Sequence, residues 1–359
     1  MKINNKIIHS KVLYIFFTFL SLILFFFSTV NLSAKAFNID NIEISKPFEI
    51  KFDKNEVINN GFKRAFFELI SSIVKSSDQI KVDSVKLNEI KGMIESFTIK
   101  EEKFIDNVYY VSLGVSFNKK KIFNFLEKKN IFPSAPIKKK FLFIPIIIDE
   151  KENDLLIFSN NKIFENWNSS NKTFHLIDYV LLTEDLEDIN LIQSKYEFIE
   201  EYDFKEITDK YFLNDSIIAL FFKSKNDVRV LSRIKIKDDT KIKNQSFLNI
   251  DLNDKEQSNK IVNDLKIIYE DYWKNVNQIN TSIKLPISIK ASNFDNSKIL
   301  NFEKVLNKTD LVYNHTISKF DRDFIYYQII FNGTPNIFLK TMSENKLFFN
   351  TQNKIWILK

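Results

Sequence analysis

Hydrophobic positions along this chain recur with two different periods and, in two places, with none. Ile58, Phe62, Ala65, Leu69 and Ile73 fall three or four residues apart, the spacing that puts apolar side chains on one face of a helix. Asp53, three residues before Glu56, offers a capping-box start for that helix, because a side-chain oxygen there meets the free amides of the first turn. Val111, Leu113, Val115 and Phe117 alternate instead with Ser112, Gly114 and Ser116, which predicts a strand with one buried face. Phe97 and Ile99 begin a strand before it, and Asp106-Asn107 makes the turn. Phe141 to Ile148 is a continuous apolar run, as in a central strand covered on both faces. Pro145 inside it lacks an amide donor, so a bulge or an exposed edge is expected there. The second unpatterned stretch, Val12 to Val30, is interrupted only by Ser and Thr.

These signals divide the chain into a leader (1–36), an N-terminal α+β unit (37–132), a central α/β unit (138–277) and a C-terminal unit (281–359). Phe132-Pro133-Ser134-Ala135-Pro136 is the predicted linker, since two closely spaced prolines continue neither ladder. In the central unit, strands are predicted at His175–Leu182, Ser216–Phe222, Asp227–Ile236 and Phe247–Leu252, and helices at Glu184–Ile192, Asp203–Phe212 and Gln257–Val276. The last helix carries Ile261, Leu265, Ile268 and Tyr272 along one side. The C-terminal unit reads strand (Ser282–Ala291), helix (Ser297–Leu306), two strands (Leu311–Phe320, Phe324–Phe331), helix (Thr334–Met342) and a closing strand (Leu347–Leu358). That order is the ferredoxin-like βαββαβ arrangement. The fold class expected is therefore α/β and α+β, in several small sheet-plus-helix units.

Charge changes the picture mainly at the N-terminus. The net charge of +6 falls to +2 without residues 1–36, which hold Lys2, Lys6, Lys11 and Lys35 and no acid. The body is thus nearly neutral, which gives no support to nucleic-acid binding. Basic residues, an apolar stretch and then Ala34-Lys35-Ala36 follow the plan of a secretory signal, with Ala34 and Ala36 as the small residues of a cleavage site. Retention of residues 12–30 as an inner-membrane anchor is the other outcome, because the stretch approaches the ~20 residues needed to span. Either way residues 37–359 are expected in the periplasm.

Composition removes several chemistries. No Cys excludes disulfides, thiolate metal sites and cysteine nucleophiles. Only 4 Gly argues against a glycine-rich phosphate loop. With 3 His, none spaced three or four residues from another, no imidazole metal site is expected, and no cofactor motif is present. The densest acidic group, Glu184-Asp185-Leu186-Glu187-Asp188, suits a helix N-terminus, where carboxylates meet free amides and the positive end of the dipole. As a cation or acid–base site it would use Asp185, Glu187 or Asp188. Trp167 is expected to be a packing residue, with ligand stacking as its other reading. The lysine runs 119–121 and 138–140 read as solvated faces or strand gatekeepers.

Taken in order, the leader, the Ala65–Leu69 stretch, the Val108–Phe117 hairpin, the proline hinge, Pro145-Ile146, the acidic Glu184–Ile189 segment and the Tyr211–Ala219 step resemble the proteobacterial domain-of-unknown-function family 2066. The resemblance covers about residues 37–275, and its motifs are structural. The first two units are also similar to small modules of periplasmic envelope proteins, including the N-terminal type found in TolB; that likeness concerns fold alone. What the resemblance implies is a Gram-negative envelope protein with no catalytic residues to carry over. The expected role is a non-enzymatic binding or scaffold protein whose partner is another envelope protein or a cell-wall component. The alternative is an envelope hydrolase working on cell-wall or lipid material with carboxylates such as Asp185 and Glu187.

Overall fold

The structure, a computed structural model, describes residues 36–158 and 160–359. The basic and apolar leader, including Ala34, lies outside the described residues. Among those described, no helix is long and apolar enough to cross a membrane. The chain folds as several small sheet-plus-helix units.

The first unit runs β1 (Ala36–Pro47), α1 (Lys54–Ile73), α2 (Leu87–Met93), β2 (Ile94–Ile105), β3 (Val108–Asn118) and α3 (Lys119–Lys128). Its three-stranded antiparallel sheet has the order β1-β3-β2. Asp53 caps α1 by accepting from the Asn55 amide at 2.8 Å. Glu56 does not complete the box; it pairs with Lys46 at 2.6 Å. Asp106 and Asn107 take φ of 50° and 57°, the left-handed pair a tight hairpin turn requires. The alternating face of β3 is buried against α1 as its pattern predicts. α2 escaped that pattern because only Ile90 and Met93 of its seven residues are buried, too few to mark a period.

The central unit comprises β4 (Lys139–Asp149), β5 (Asp154–Leu156), α4 (Lys162–Asn166), β6 (Ile177–Leu181), α5 (Leu186–Ser194), α6 (Lys205–Lys210), β7 (Ser216–Lys223), β8 (Asp227–Ile236), β9 (Asp239–Leu248) and α7 (Lys255–Val276). β4 lies inside this six-stranded mixed sheet, parallel to β7 on one side. Phe141, Phe143 and Ile147 face α7, while Leu142, Ile144, Ile146 and Ile148 face the layer that holds Ile192 and Ile207. Both faces are therefore dry, as the unbroken apolar run implies.

Pro145 needs neither a bulge nor an outer edge. The second side of β4 is shared: β6 pairs with it as far as Phe143, and β5 begins at Ile147. Pro145 occupies the gap between them, where no strand asks for an amide. The buried Asn161 amide donates there to the Pro145 carbonyl at 2.9 Å and to Leu156 O at 3.0 Å. Its oxygen accepts from the Ile163 and Phe164 amides and so caps α4. β9, read in sequence as Phe247–Leu252, instead starts at Asp239, because Lys237 turns the hairpin at φ 55° with no glycine to announce it.

The third unit is β10 (Leu285–Ser292), α8 (Asn296–Lys308), β11 (Val312–Phe320), β12 (Phe324–Phe331), α9 (Pro335–Glu344), β13 (Phe349–Asn350) and β14 (Trp356–Leu358), with sheet order β11-β12-β10-β14-β13. The first five elements follow the expected order. The closing strand is split, because the Asn350 side chain accepts from the Gln352 amide at 3.0 Å and bends the polar Thr351–Lys354 stretch. The extra reversal makes β14 run parallel to β10, where a single closing strand would run opposite.

The proline segment is a splice rather than a loose linker. Ser134 is buried and its amide donates to Ile73 O at 2.7 Å. Ala135 N donates to Asn277 O at 3.0 Å, and Ile279 N to Pro133 O at 2.7 Å. The chain thus leaves the first unit and enters the third along two adjacent, paired segments.

Candidate functional site: a cleft at the junction of three units

One concavity, about 1360 Å³, takes walls from all three units. β1 and α1 supply one wall through Ala36–Asp40, Leu69 and Ser72; β11 supplies the opposite wall through Val312–Ile317; Pro136, Phe174 and Leu176 form part of the floor. Each wall strand, β1 and β11, is the outermost of its sheet.

One corner of the cleft is tied shut. β3 ends at Asn118, whose side chain caps α3 by accepting from Lys121 N at 3.1 Å. The cap turns Lys119 inward, where it is buried between the rings of Phe37 and Phe123, each centroid 5.3 Å away, and ion-paired with Asp310. Burial pushes the ammonium pKa below its ordinary value, and the Asp310 charge opposes that fall. The reading of 119–121 as a solvated or gatekeeping run is therefore corrected at its first residue. Beside it Tyr313 donates its hydroxyl to Asn124 Oδ1 at 3.0 Å, and Lys284 pairs with Glu127 at 3.1 Å. Deeper in, Tyr327 donates to Glu303 at 2.8 Å; burial first, then this carboxylate, lift the phenol far above its usual range.

A second polar group, not foreseen from sequence, lies inside the molecule. Lys266, Glu270 and Lys274 are all buried on α7, four residues apart. Glu270 accepts from the amides of Leu176 and Ile177 at 2.9–3.0 Å and so fixes the start of β6. Lys266 donates to Trp167 O at 2.6 Å and Asn171 Oδ1 at 2.5 Å; burial brings its pKa down to about 8. Lys274 reaches into the first unit and donates to Ser71 O at 2.6 Å and Val74 O at 3.2 Å, at the end of α1. Asp271 adds a bond to Ser76 N at 2.8 Å. His175 lies just before β6 with Nδ1 accepting from Lys172 N at 3.3 Å. Burial, then the charges of Lys266, Lys274 and Lys172, lower its pKa to about 4, so it is neutral at neutral pH.

Of the residues singled out in sequence, Ala36, Lys119 and His315 line the cleft, while Asp185, Glu187, Asp188 and Trp167 do not. Asp185 caps α5 by accepting from Glu187 N at 2.9 Å. Lys210 of α6 then collects the cluster, lying 2.6 Å from the buried Asp188, 3.7 Å from Asp185 and 3.9 Å from Glu187. These contacts fasten α5 to α6. Trp167 is fully buried and stacked on Phe143 at 3.8 Å, with Tyr179 edge-on at 5.3 Å. Ala36 opens β1 opposite Asn118, and His315 lies in the β11 wall of the cleft.

Several ionisable groups of the cleft are paired. Lys119 with Asp310, Tyr327 with Glu303, and Asp40 with Lys100 at 2.6 Å each satisfy one another. Among the described residues no group of three or more His, Asp or Glu is placed to hold a metal ion. Sequence reasoning had no route to this cleft, whose two sides join through residues 191 positions apart. The α7 stripe did leave a signal: three charges at helical pitch beside an apolar face. No protein-family model and no curated protein matches this chain.

Proposed function

We propose that this chain is a non-enzymatic binding or scaffold protein of the bacterial cell envelope, and that the cleft between its three units holds its partner. The single observation that carries the reading is the cleft itself. It is larger than the ~300–1,000 Å³ of small-molecule sites, and its walls come from three separately built units. Of its ionisable groups, Lys119 and Asp310 tie the first unit to the third. The basic-then-apolar leader supports export to the periplasm, and the resemblance to the domain-of-unknown-function family 2066 supports an envelope role. Nearly neutral charge outside the leader fits a protein or glycan partner better than nucleic acid.

The test places a photo-crosslinking amino acid at Thr316, on the cleft wall, and separately at Leu248, on the exposed edge of β9. Irradiated cells of the source organism should give discrete adducts from position 316 and none from position 248. Adducts absent from position 316, or equal at the two positions, would sink the assignment of the cleft. An alkaline phosphatase fusion to the C-terminus, active only outside the cytosol, tests the compartment separately.

A further inference from the structure

We infer that the cleft takes an extended, near-neutral polypeptide segment as an added β-strand on the outer rail of β1. This deepens the proposed function and rests on the cleft being the binding site.

The rail is defined on both sides. β1 pairs only with β3 among the described strands, and an edge strand leaves alternate amides and carbonyls pointing away from its one partner. Asn41, at φ 59°, makes a bulge between Ile39 and Ile42. Beyond it Arg64 occupies the rail by donating to Glu43 O at 2.7 Å. Among the described residues the open stretch is therefore Ala36 to Asp40, the same residues that line the cleft. Five residues of strand are ~17 Å long, a length matched by the Val312–Ile317 wall opposite. The pairing is assigned to β1, whose open stretch coincides with the cleft lining, and β11 serves as a side-chain wall.

The chemistry of the rail selects its ligand. Donors and acceptors must repeat together at the two-residue spacing of a strand, ~7 Å, which a polypeptide backbone supplies and an acyl chain does not. The cleft lining balances four lysines against four carboxylates, which disfavours a strongly charged ligand. Side-chain preference follows from the pleat. Phe37 and Ile39 point to the core with Phe123 and Leu69, while Asn38 and Asp40 turn to the polar side against Ser116 and Lys100. An added strand that continues both layers alternates apolar and small polar residues. This is strand addition, in which the backbone supplies affinity and alternate side chains supply selection.

The probe is the blocked hexapeptide acetyl-Val-Ser-Phe-Ser-Val-Ser-amide, titrated against the purified full chain by calorimetry, with two isomers N-methylated on alternate amides. One isomer should bind at least tenfold more weakly than the parent and the other about equally, because only one rail of the peptide faces β1. Thr316→Trp, which fills the cleft from the exposed face of β11, should lower affinity at least tenfold with an unchanged melting temperature. If that variant does not fold, Asn38→Arg on the exposed face of β1 replaces it. Equal binding by all three peptides, or undiminished binding by the folded variant, overturns strand addition in the cleft. No saturable binding overturns it too. If the Thr316 crosslinks still form in that case, the proposed function stands and only the peptide inference falls; if they are also missing, both fall.

Discussion

The central sheet and the two flanking sheets solve the same problem differently. β4 and β7 are sealed on both faces, with separate apolar cores above and below. The N-terminal sheet has its core on one side only, against α1, and the C-terminal sheet likewise packs against α8 and α9. Its outer strand β2 is exposed along nearly its whole length. Strands dry on both faces and paired along both sides have no surface to offer a partner. A sheet covered once keeps an edge and a polar face, and here two such sheets turn an edge into the same cleft. The buried strands lie in the middle, and the strand edges that reach the cleft lie at the margins.

The sharpest way to break that contrast is a cavity in the centre. Phe143→Ala removes a fully buried ring stacked on Trp167 and should cost ~3–5 kcal/mol in denaturant unfolding; a loss below ~1 kcal/mol would mean the middle is not the stable part. Next comes the fastening between centre and margin. Lys274→Met removes the ammonium that donates to Ser71 O and leaves Val74 O to the Gln79 side chain, at ~1–3 kcal/mol. Amide exchange should accelerate around Val74 while the β4 amides keep their protection; uniform acceleration would contradict a separable margin.

A smaller effect depends on pH. The folded-state pKa of His175 is about 4, below its ordinary 6.5, so the unfolded chain takes up the proton first. Stability should therefore fall as pH drops from 6.5 to 4, by ~1 kcal/mol given the screening of a half-buried group. Glu270, whose carboxyl pKa burial raises, works in the opposite direction over the acid range. The comparison of wild type with His175→Gln isolates the imidazole: the variant should lack this loss. Smallest is Phe97→Ala on the exposed strand β2, where the half-exposed ring lies edge-on to Phe62 at 5.0 Å; thermal unfolding should move by ~0.5 kcal/mol or less.

Much of the fold was legible because burial follows period. The β3 alternation, the α7 stripe and the unbroken β4 run each mapped onto the face they implied. Legibility ended where local pattern ends. α2 has two buried residues, β9 is mostly polar, and the split at Asn350 depends on one side-chain bond. Lys119 looked like any surface lysine because the partner that makes its burial tolerable, Asp310, comes from another unit. The acidic segment at Asp185 was readable as a cap, while its fastening to Lys210 required the fold.

Pro145 has one more consequence. The Phe141–Ile148 run is strongly apolar, β-prone and uncharged, the composition that stacks into fibrils when it is exposed before folding. A proline in its middle cannot donate to a copy of itself lying alongside, so a pile of identical segments would lack a bond at every level. In the native sheet the same defect falls where β6 has stopped and β5 has not begun, and it costs nothing there. The residue that looks like a flaw in the strand guards it against self-association before folding is complete.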